Sequence, residues 1–182
     1  MHLICGVDEA GRGPLAGPVA ACAVILPEDF PTEILDDYKR LSAKRRTESA
    51  ELIMKRSVAW AVGWASHIEI DEINILAATL LAMQRCVSFL DVRPEKVIVD
   101  GLHVPDLPYP TSAVVKADTL IPAVMAASIL AKTARDAWMI DYSIRDPRYG
   151  FERHMGYPTR DHRDRIHEYG RCPIHRRSFR VS

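Results

Sequence analysis

Three stretches of this chain share one grammar, a short apolar run that ends in an acid. Leu3-Ile4-Cys5-Gly6-Val7 leads into Asp8-Glu9, Lys96-Val97-Ile98-Val99 into Asp100-Gly101, and Ser112-Ala113-Val114-Val115-Lys116-Ala117 into Asp118. Each run is too short for a core helix and rich enough in branched residues to be a buried strand. The second and third are reached by long crossovers and should run parallel to the first, which brings their carboxyl ends to one edge of a sheet. Asp8, Glu9, Asp100 and Asp118 are then expected to converge. A single Asp after a strand is usually a turn former, but turn formation does not explain three strand ends delivering acid to the same edge.

The first of these acids opens the stretch Asp8-Glu9-Ala10-Gly11-Arg12-Gly13-Pro14. Side chains alternate faces along a regular strand, so Asp8 and Glu9 share a site only if the strand bulges or turns there, as the glycines that follow suggest. Gly11 and Gly13 bracket Arg12, and bare backbone beside a cation and paired acids suits a phosphate near bound metal. The plainer alternative is an Asp-Glu pair at the mouth of an ordinary hairpin loop.

Around these stretches the sequence describes an α/β chain. Pro18 to Leu26 and Val58 to Ile68 read as two more strands whose short connections favour an antiparallel meander with the first. Ser42 is a plausible helix N-cap, and Asp71 is expected to cap a long helix with Ile73, Leu76, Leu80, Val87 and Leu90 on its core face. Pro122 starts an Ala-rich helix reaching about Tyr142, with Val124, Ala127, Ala131, Ala134 and Trp138 inward. Ser128, Lys132 and Arg135 form a separate stripe, placed either to brace a site and its substrate or to tie helix to sheet. Residues 1–145 are expected to form the main domain, with 146–182 a small helical, basic segment of the same compact unit.

The formal net charge of zero hides an asymmetry. Residues 151–182 hold eight arginines against four acids, while residues 1–150 hold 16 basic and 20 acidic side chains. A basic tail beside an acidic body is expected if the tail holds a polyanion and part of the acid excess holds cations. Lys39, Arg40, Lys44, Arg45 and Arg46 form a second basic cluster able to meet a phosphate backbone. Cys5, Cys22, Cys86 and Cys172 stand far apart, which favours buried free thiols over a disulfide framework or zinc site. No run is long enough to span a bilayer and no signal-peptide plan opens the chain, so a soluble, cytoplasmic protein is expected.

The Asp8–Pro14 stretch closely resembles the opening motif of the type 2 ribonucleases H, specifically the bacterial ribonuclease HII family, and the resemblance runs from about Ile4 to Phe179. Ala126 to Lys132 with Arg135-Asp136 is similar to that family's second long signature, and Gly156-Tyr157-Pro158-Thr159 to its C-terminal element. The resemblance implies a ribonuclease H-like mixed five-stranded sheet flanked by helices. It also implies an endonuclease, expected to be a monomer, acting on RNA/DNA hybrids and on DNA duplexes containing ribonucleotides. By it Asp8, Glu9, Asp100 and Asp118 match the catalytic and metal-binding acids, with Mg2+ or Mn2+ as cofactor. Gly11, Arg12 and Gly13 would read the ribose 2′-hydroxyl, Tyr157 would stack at the same ribose, and Lys39, Ser128 and Lys132 would contact nucleic acid. The chain departs from the family pattern at Asp36 and Tyr38, where an Asn and a Ser are usual, at Ala117, where a glycine is usual, and at Met155, where a lysine is usual. Two readings from other classes compete: a hybrid-binding module with weak or lost turnover, and a metal-dependent phosphatase of small phosphoesters.

Overall fold

The computed structural model describes residues 2–35 and 43–181. Lys39, the departures at Asp36 and Tyr38, and the expected cap Ser42 lie outside the described residues. The strands are β1 (Ile4–Ala10), β2 (Val19–Ile25), β3 (Ala59–Ala65), β4 (Lys96–Asp100) and β5 (Thr111–Val114). They form one sheet in the order β3-β2-β1-β4-β5. The β1-β2 and β2-β3 pairs are antiparallel, as the meander predicts, while β4 runs parallel to β1 and β5 parallel to β4. The sheet is therefore mixed, and the carboxyl ends of β1, β4 and β5 meet at one edge.

Helices α1 (Ala43–Arg56), α2 (His67–Ser88) and α3 (Pro122–Arg145) cover the sheet, and α4 (Phe151–His154) and α5 (Arg160–Tyr169) form the C-terminal piece. The β pleat divides the core in two. Cys5, Val7, Ala21 and Ala23 pack on Ala78, Ala82, Met83 and Cys86 of α2, whereas Cys22 and Val24 pack on Ala126, Ile129 and Leu130 of α3. Both helices approach the strands through a glycine. A Cβ on Gly6 would sit 2.2 Å from the Ala123 carbonyl carbon of α3, and one on Gly63 would sit 2.2 Å from the Ala82 oxygen of α2. All four cysteines are free and buried, and no helix among the described residues is long and apolar enough to cross a membrane.

Several local expectations change. The capping role falls not on Asp71 but on Ser66, which forms a capping box with Glu69, and again on Asn74. Asn74 breaks α2 with φ 68° and accepts from the N–H groups of Leu76 and Ala77, so the long helical run starts afresh there. Asp71 is instead spent on the chain terminus, accepting from the backbone N–H of Arg177 and Ser178. In α3, Ala134 and Trp138 are only half-buried, and Arg135, expected on the polar stripe with Ser128 and Lys132, is fully buried.

A third core joins Leu15, Met139, Tyr149, Phe151, Ile166 and Ile174, and three histidines are set into it. The N–H of Cys172 donates to His175 Nδ1 at 2.9 Å, which leaves the His175 Nε2 proton to donate to His162 Nε2 at 3.1 Å. His162 must then donate through Nδ1 to the carbonyl of Tyr157, 2.9 Å away. His154 accepts from the N–H of Gly156 and donates to the Tyr149 carbonyl. All three rings are thus held neutral, and burial lowers their pKa values, those of His162 and His175 to about 4. Between that value and the ordinary 6.5 the unfolded chain binds more protons than the folded one, so stability falls as pH drops through this window. Urea unfolding of wild type should show its midpoint declining from pH 7 to 5, with a shallower decline in His162→Gln; parallel profiles would mean that the ring is not held neutral.

Candidate active site

Asp8 lies on the α3 face of β1, and Asp100 ends β4. Asp118 does not end its strand: β5 stops at Val114, Lys116 turns through the left-handed region at φ 60°, and Asp118 follows in a 3-10 turn over Ala117–Thr119. That turn carries it back to the other acids, and its N–H donates to Asp100 Oδ1 at 3.4 Å. Asp8, Asp100 and Asp118 each offer a carboxylate oxygen within 4.8 Å of the other two, with Asp8 and Asp118 only 5% and 7% exposed. The usual glycine position before Asp118 is filled by Ala117, which is fully buried.

Glu9 stands apart from this triplet. β1 does not bulge at the acids: the pairing with β2 continues without interruption through Asp8↔Cys22, Glu9↔Ala21 and Ala10↔Ala20. The left-handed turn waits until Gly11, at φ 97°. Glu9 is paired with Arg12 at 3.4 Å and borders a cleft of about 410 Å³ whose other walls are Ala10 to Gly13, Arg46, Ser128, Lys132 and Tyr157. Its backbone N–H donates to Asp8 Oδ1 at 2.8 Å, so the two residues remain coupled.

The electrostatics follow from packing acids together out of water. Burial drives the Asp8 pKa well above its ordinary value, and the charge of Glu9 adds to this, with a smaller push from Asp100, against a hydrogen bond from Ser128. Burial also raises Glu9, with Arg12 opposing. An oxygen-only set of carboxylates at this spacing fits a hard divalent cation, whose charge would relieve the repulsion. Opposite the acids, Tyr157 is 39% exposed, with Lys132 Nζ 5.6 Å and Arg135 Cζ 5.9 Å from its ring centre. A Cβ on Gly13 would come within 3.7 Å of the same ring. The cleft therefore has an acidic end, a glycine-lined backbone wall and an aromatic wall under cations.

The family model of ribonuclease HII matches residues 5–182. The chain is 55% identical over 177 residues to the ribonuclease HII of Dechloromonas aromatica, covering 97% of this chain and 90% of that one. The chain belongs to the ribonuclease HII family. In three dimensions it resembles the ribonuclease H2 of Pyrococcus horikoshii, with a TM-score of 0.81 at 26% identity over 98% of this chain and 94% of that one. The ribonuclease HII of Archaeoglobus fulgidus, solved in a complex with PCNA, superposes with a TM-score of 0.78 at 27% identity, covering 99% of this chain and 96% of that one.

Within this ribonuclease HII fold the predicted site residues divide. Gly11, Arg12, Gly13, Ser128, Lys132 and Tyr157 line one cleft with Glu9, and Asp8, Asp100 and Asp118 gather beside it. Ser128 serves the acids as well as the cleft, through its hydrogen bond to Asp8, and Lys132 is tied to Asp136 at 2.7 Å. The Lys132–Asp136 pair stays within α3; of the stripe, it is Arg135 that ties the helix to neighbouring backbone, at Ala16, Pro18 and Met155. Among the described residues of the basic run, Arg46 reaches the cleft wall, held by Asp136 at 3.5 Å; nothing in the run itself distinguishes it. The basic tail is less free than its charge suggested. Arg153 and Arg165 pair with Asp161, Arg160 with Asp164, Arg171 binds carbonyls of residues 176, 177 and 179, and Arg176 is buried.

A carboxyl whose pKa rises on folding destabilises the folded chain once pH exceeds that raised value, and the loss vanishes below its ordinary 3.8. In metal-free buffer at pH 8, Asp8→Asn should therefore melt higher than wild type, by about 2–4 °C for each ~1 kcal/mol relieved. Adding Mg2+ or Mn2+ should raise the wild-type melting temperature and raise that of the variant less. A variant that melts lower without metal would contradict the repulsion.

Proposed function

We propose that this chain is an endoribonuclease that hydrolyses the RNA strand of RNA/DNA hybrids and cuts 5′ to ribonucleotides embedded in duplex DNA, leaving 3′-hydroxyl and 5′-phosphate ends. The observation that carries this reading is the juxtaposition of three converging carboxylates with a cleft that has a Gly-Arg-Gly wall and an exposed tyrosine, in a chain of the ribonuclease HII family. Asp8, Asp100 and Asp118 would hold Mg2+ or Mn2+, with Glu9 beside them. A bound divalent cation would lower the pKa of a bound water, so that hydroxide is available to attack phosphorus near neutral pH, and would supply counter-charge for the departing oxygen.

The protein's own residues do the rest. The Gly11 to Gly13 backbone can approach a ribose without a side chain intervening at either glycine, and a 2′-hydroxyl is what separates RNA from DNA at such a wall. Tyr157 presents a face on which the sugar at the junction can stack, and its carbonyl is fixed by His162. Arg12, Arg46 and Lys132 place positive charge around the phosphates, a contribution that carries no sequence information. A small-phosphoester phosphatase would have no use for the tyrosine and the glycine wall.

Two substitutions test the assignment. Asp100→Asn keeps the shape of the side chain while removing its charge. It should abolish most turnover on a hybrid and leave duplex binding largely intact; near wild-type turnover would remove Asp100 from the reaction. Tyr157→Ala should cost more on a duplex with one ribonucleotide than on a long hybrid, where many registers are open. A stacking contact is worth ~1–3 kcal/mol, so the selective loss should be about five- to a hundredfold. Equal loss on both substrates would reduce Tyr157 to a packing residue, and cyclic-phosphate products would discard the hydrolytic route.

A further inference from the structure

Arg135 and Arg176 are the largest fully buried side chains, 0% and 1% exposed. Buried guanidinium groups ordinarily meet a carboxylate, but these two give their hydrogen bonds to backbone carbonyls. Arg176 donates from Nη2 to Gly11 O at 2.6 Å and Pro18 O at 3.3 Å, from Nη1 to Arg12 O at 2.9 Å, and from Nε to Gly17 O at 2.9 Å. Arg135 donates to Pro18 O at 2.9 Å, Ala16 O at 3.1 Å and Met155 O at 3.0 Å. The two ends of the Gly11–Pro18 segment are thus wrapped around two cations, with the carbonyls of Gly11, Arg12, Ala16, Gly17 and Pro18 turned onto them. Gly11 must lack a side chain for this to happen, since a Cβ there would lie 1.9 Å from Arg135 Nε.

The orientation of these peptides has a chemical consequence. In a trans peptide the C=O and the following N–H point in opposite directions, and the described chain has no cis peptide. With the Gly11 and Arg12 carbonyls held on Arg176, the N–H groups of Arg12 and Gly13 turn away from it. Gly11, Arg12 and Gly13 line the cleft, and Arg176 does not. We propose that Arg176 is a positioning residue for ribonucleotide recognition: by clamping the carbonyls of Gly11 and Arg12 it aims the N–H groups of Arg12 and Gly13 at the ribose 2′-oxygen and the adjoining phosphate. Arg135 steadies the opposite limb of the loop and, through the Met155 carbonyl, the approach to Tyr157. This rests on the reading of the cleft as the ribonucleotide subsite.

Burial, followed by the neighbouring Arg135 charge, lowers the Arg176 pKa to about 9, so the group is still charged at neutral pH. A cation behind each peptide also polarises it, strengthening its outward N–H as a donor. Lysine retains the charge but has a single donor centre, which cannot span carbonyls that diverge around a planar fork.

The experiment compares Arg176→Lys with its parent, both carrying Asp100→Asn to suppress cleavage, for binding to a DNA duplex with one ribonucleotide and to the same duplex made wholly of DNA. The parent should prefer the ribonucleotide, and Arg176→Lys should lose about tenfold of that preference, the worth of one to two hydrogen bonds, while all-DNA binding changes little. A purely structural role would lower the folded fraction and affect both duplexes alike, so an unchanged ratio in the lysine variant overturns the proposal. A parent without preference would overturn the subsite reading instead, which separates the two failures. Should Arg176→Lys not fold, amide NMR of the 15N-labelled parent decides: the Arg12 and Gly13 signals should shift with the ribonucleotide duplex and not with the all-DNA duplex, and equal shifts overturn the proposal.

Discussion

Parallel pairing of β4 with β1 is the constraint on which the acid cluster depends. The pairing sets Cys5 beside Val97 and Val7 beside Val99, all fully buried, so the register is fixed by apolar burial on the α2 side. A slip of one residue would turn every side chain of β4 to the other face of the sheet. The strand ends therefore hold Asp8 near Asp100 because the core cannot pack otherwise, and the repulsion between the carboxylates is borne by interactions formed elsewhere. Gly6 contributes to the same placement, since it lets α3 touch β1 and brings Ser128 down onto Asp8.

The C-terminal piece is joined to this sheet through polar groups that are buried yet satisfied. The backbone of Leu15 donates to Gly156 and accepts from Arg176, Gly17 donates to Ile174, and Ala16 bridges to His175. Arg135 and Arg176 fill the space behind the loop, and the three histidines fix the other flank of Tyr157. Arginine and histidine here do the work that apolar side chains do in the main core, but with directional bonds. The directions of the Gly11, Arg12, Leu15, Ala16, Gly17 and Pro18 carbonyls are consequently determined, whereas apolar packing would fix only their positions. Residues 146–182 are in this respect part of the site rather than a separate basic arm laid beside it.

Much of this was legible in the order of residues. Short branched runs closing in acid gave the strands, their connections gave the antiparallel and parallel halves of the sheet, and the Gly-Arg-Gly stretch gave one wall of the cleft, while the other, Tyr157, was implied by the resemblance of Gly-Tyr-Pro-Thr to a family element. Local mistakes came where two residues can play the same part. Asp71 and Asn74 are both good helix caps, and only the competing demand of the Arg177–Ser178 turn assigns Asp71 to the terminus. The glycines after Glu9 suggested a bulge, yet the strand keeps its pleat because β2 remains paired with it to Ala10.

The sequence by itself determined the fold class and the meeting of Asp8, Asp100 and Asp118, because periodicity and chain connectivity are local properties that survive without coordinates, whereas the family resemblance, not spacing, pointed Ser128, Lys132 and Tyr157 at the cleft. Only the tertiary structure decided the fate of the charges. Arg135 lies on a helical stripe with Lys132, and Arg176 sits in the run His175-Arg176-Arg177, positions that read as solvated or phosphate-facing. Whether such a side chain meets water, an acid or a ring of carbonyls depends on residues as remote as Gly11 and Pro18, and no spacing along the chain encodes that distance. The same reason explains the histidines: they lack any metal-ligand spacing in sequence, and their neutral, interlocked state exists only once α4, α5 and the terminus have packed around one another.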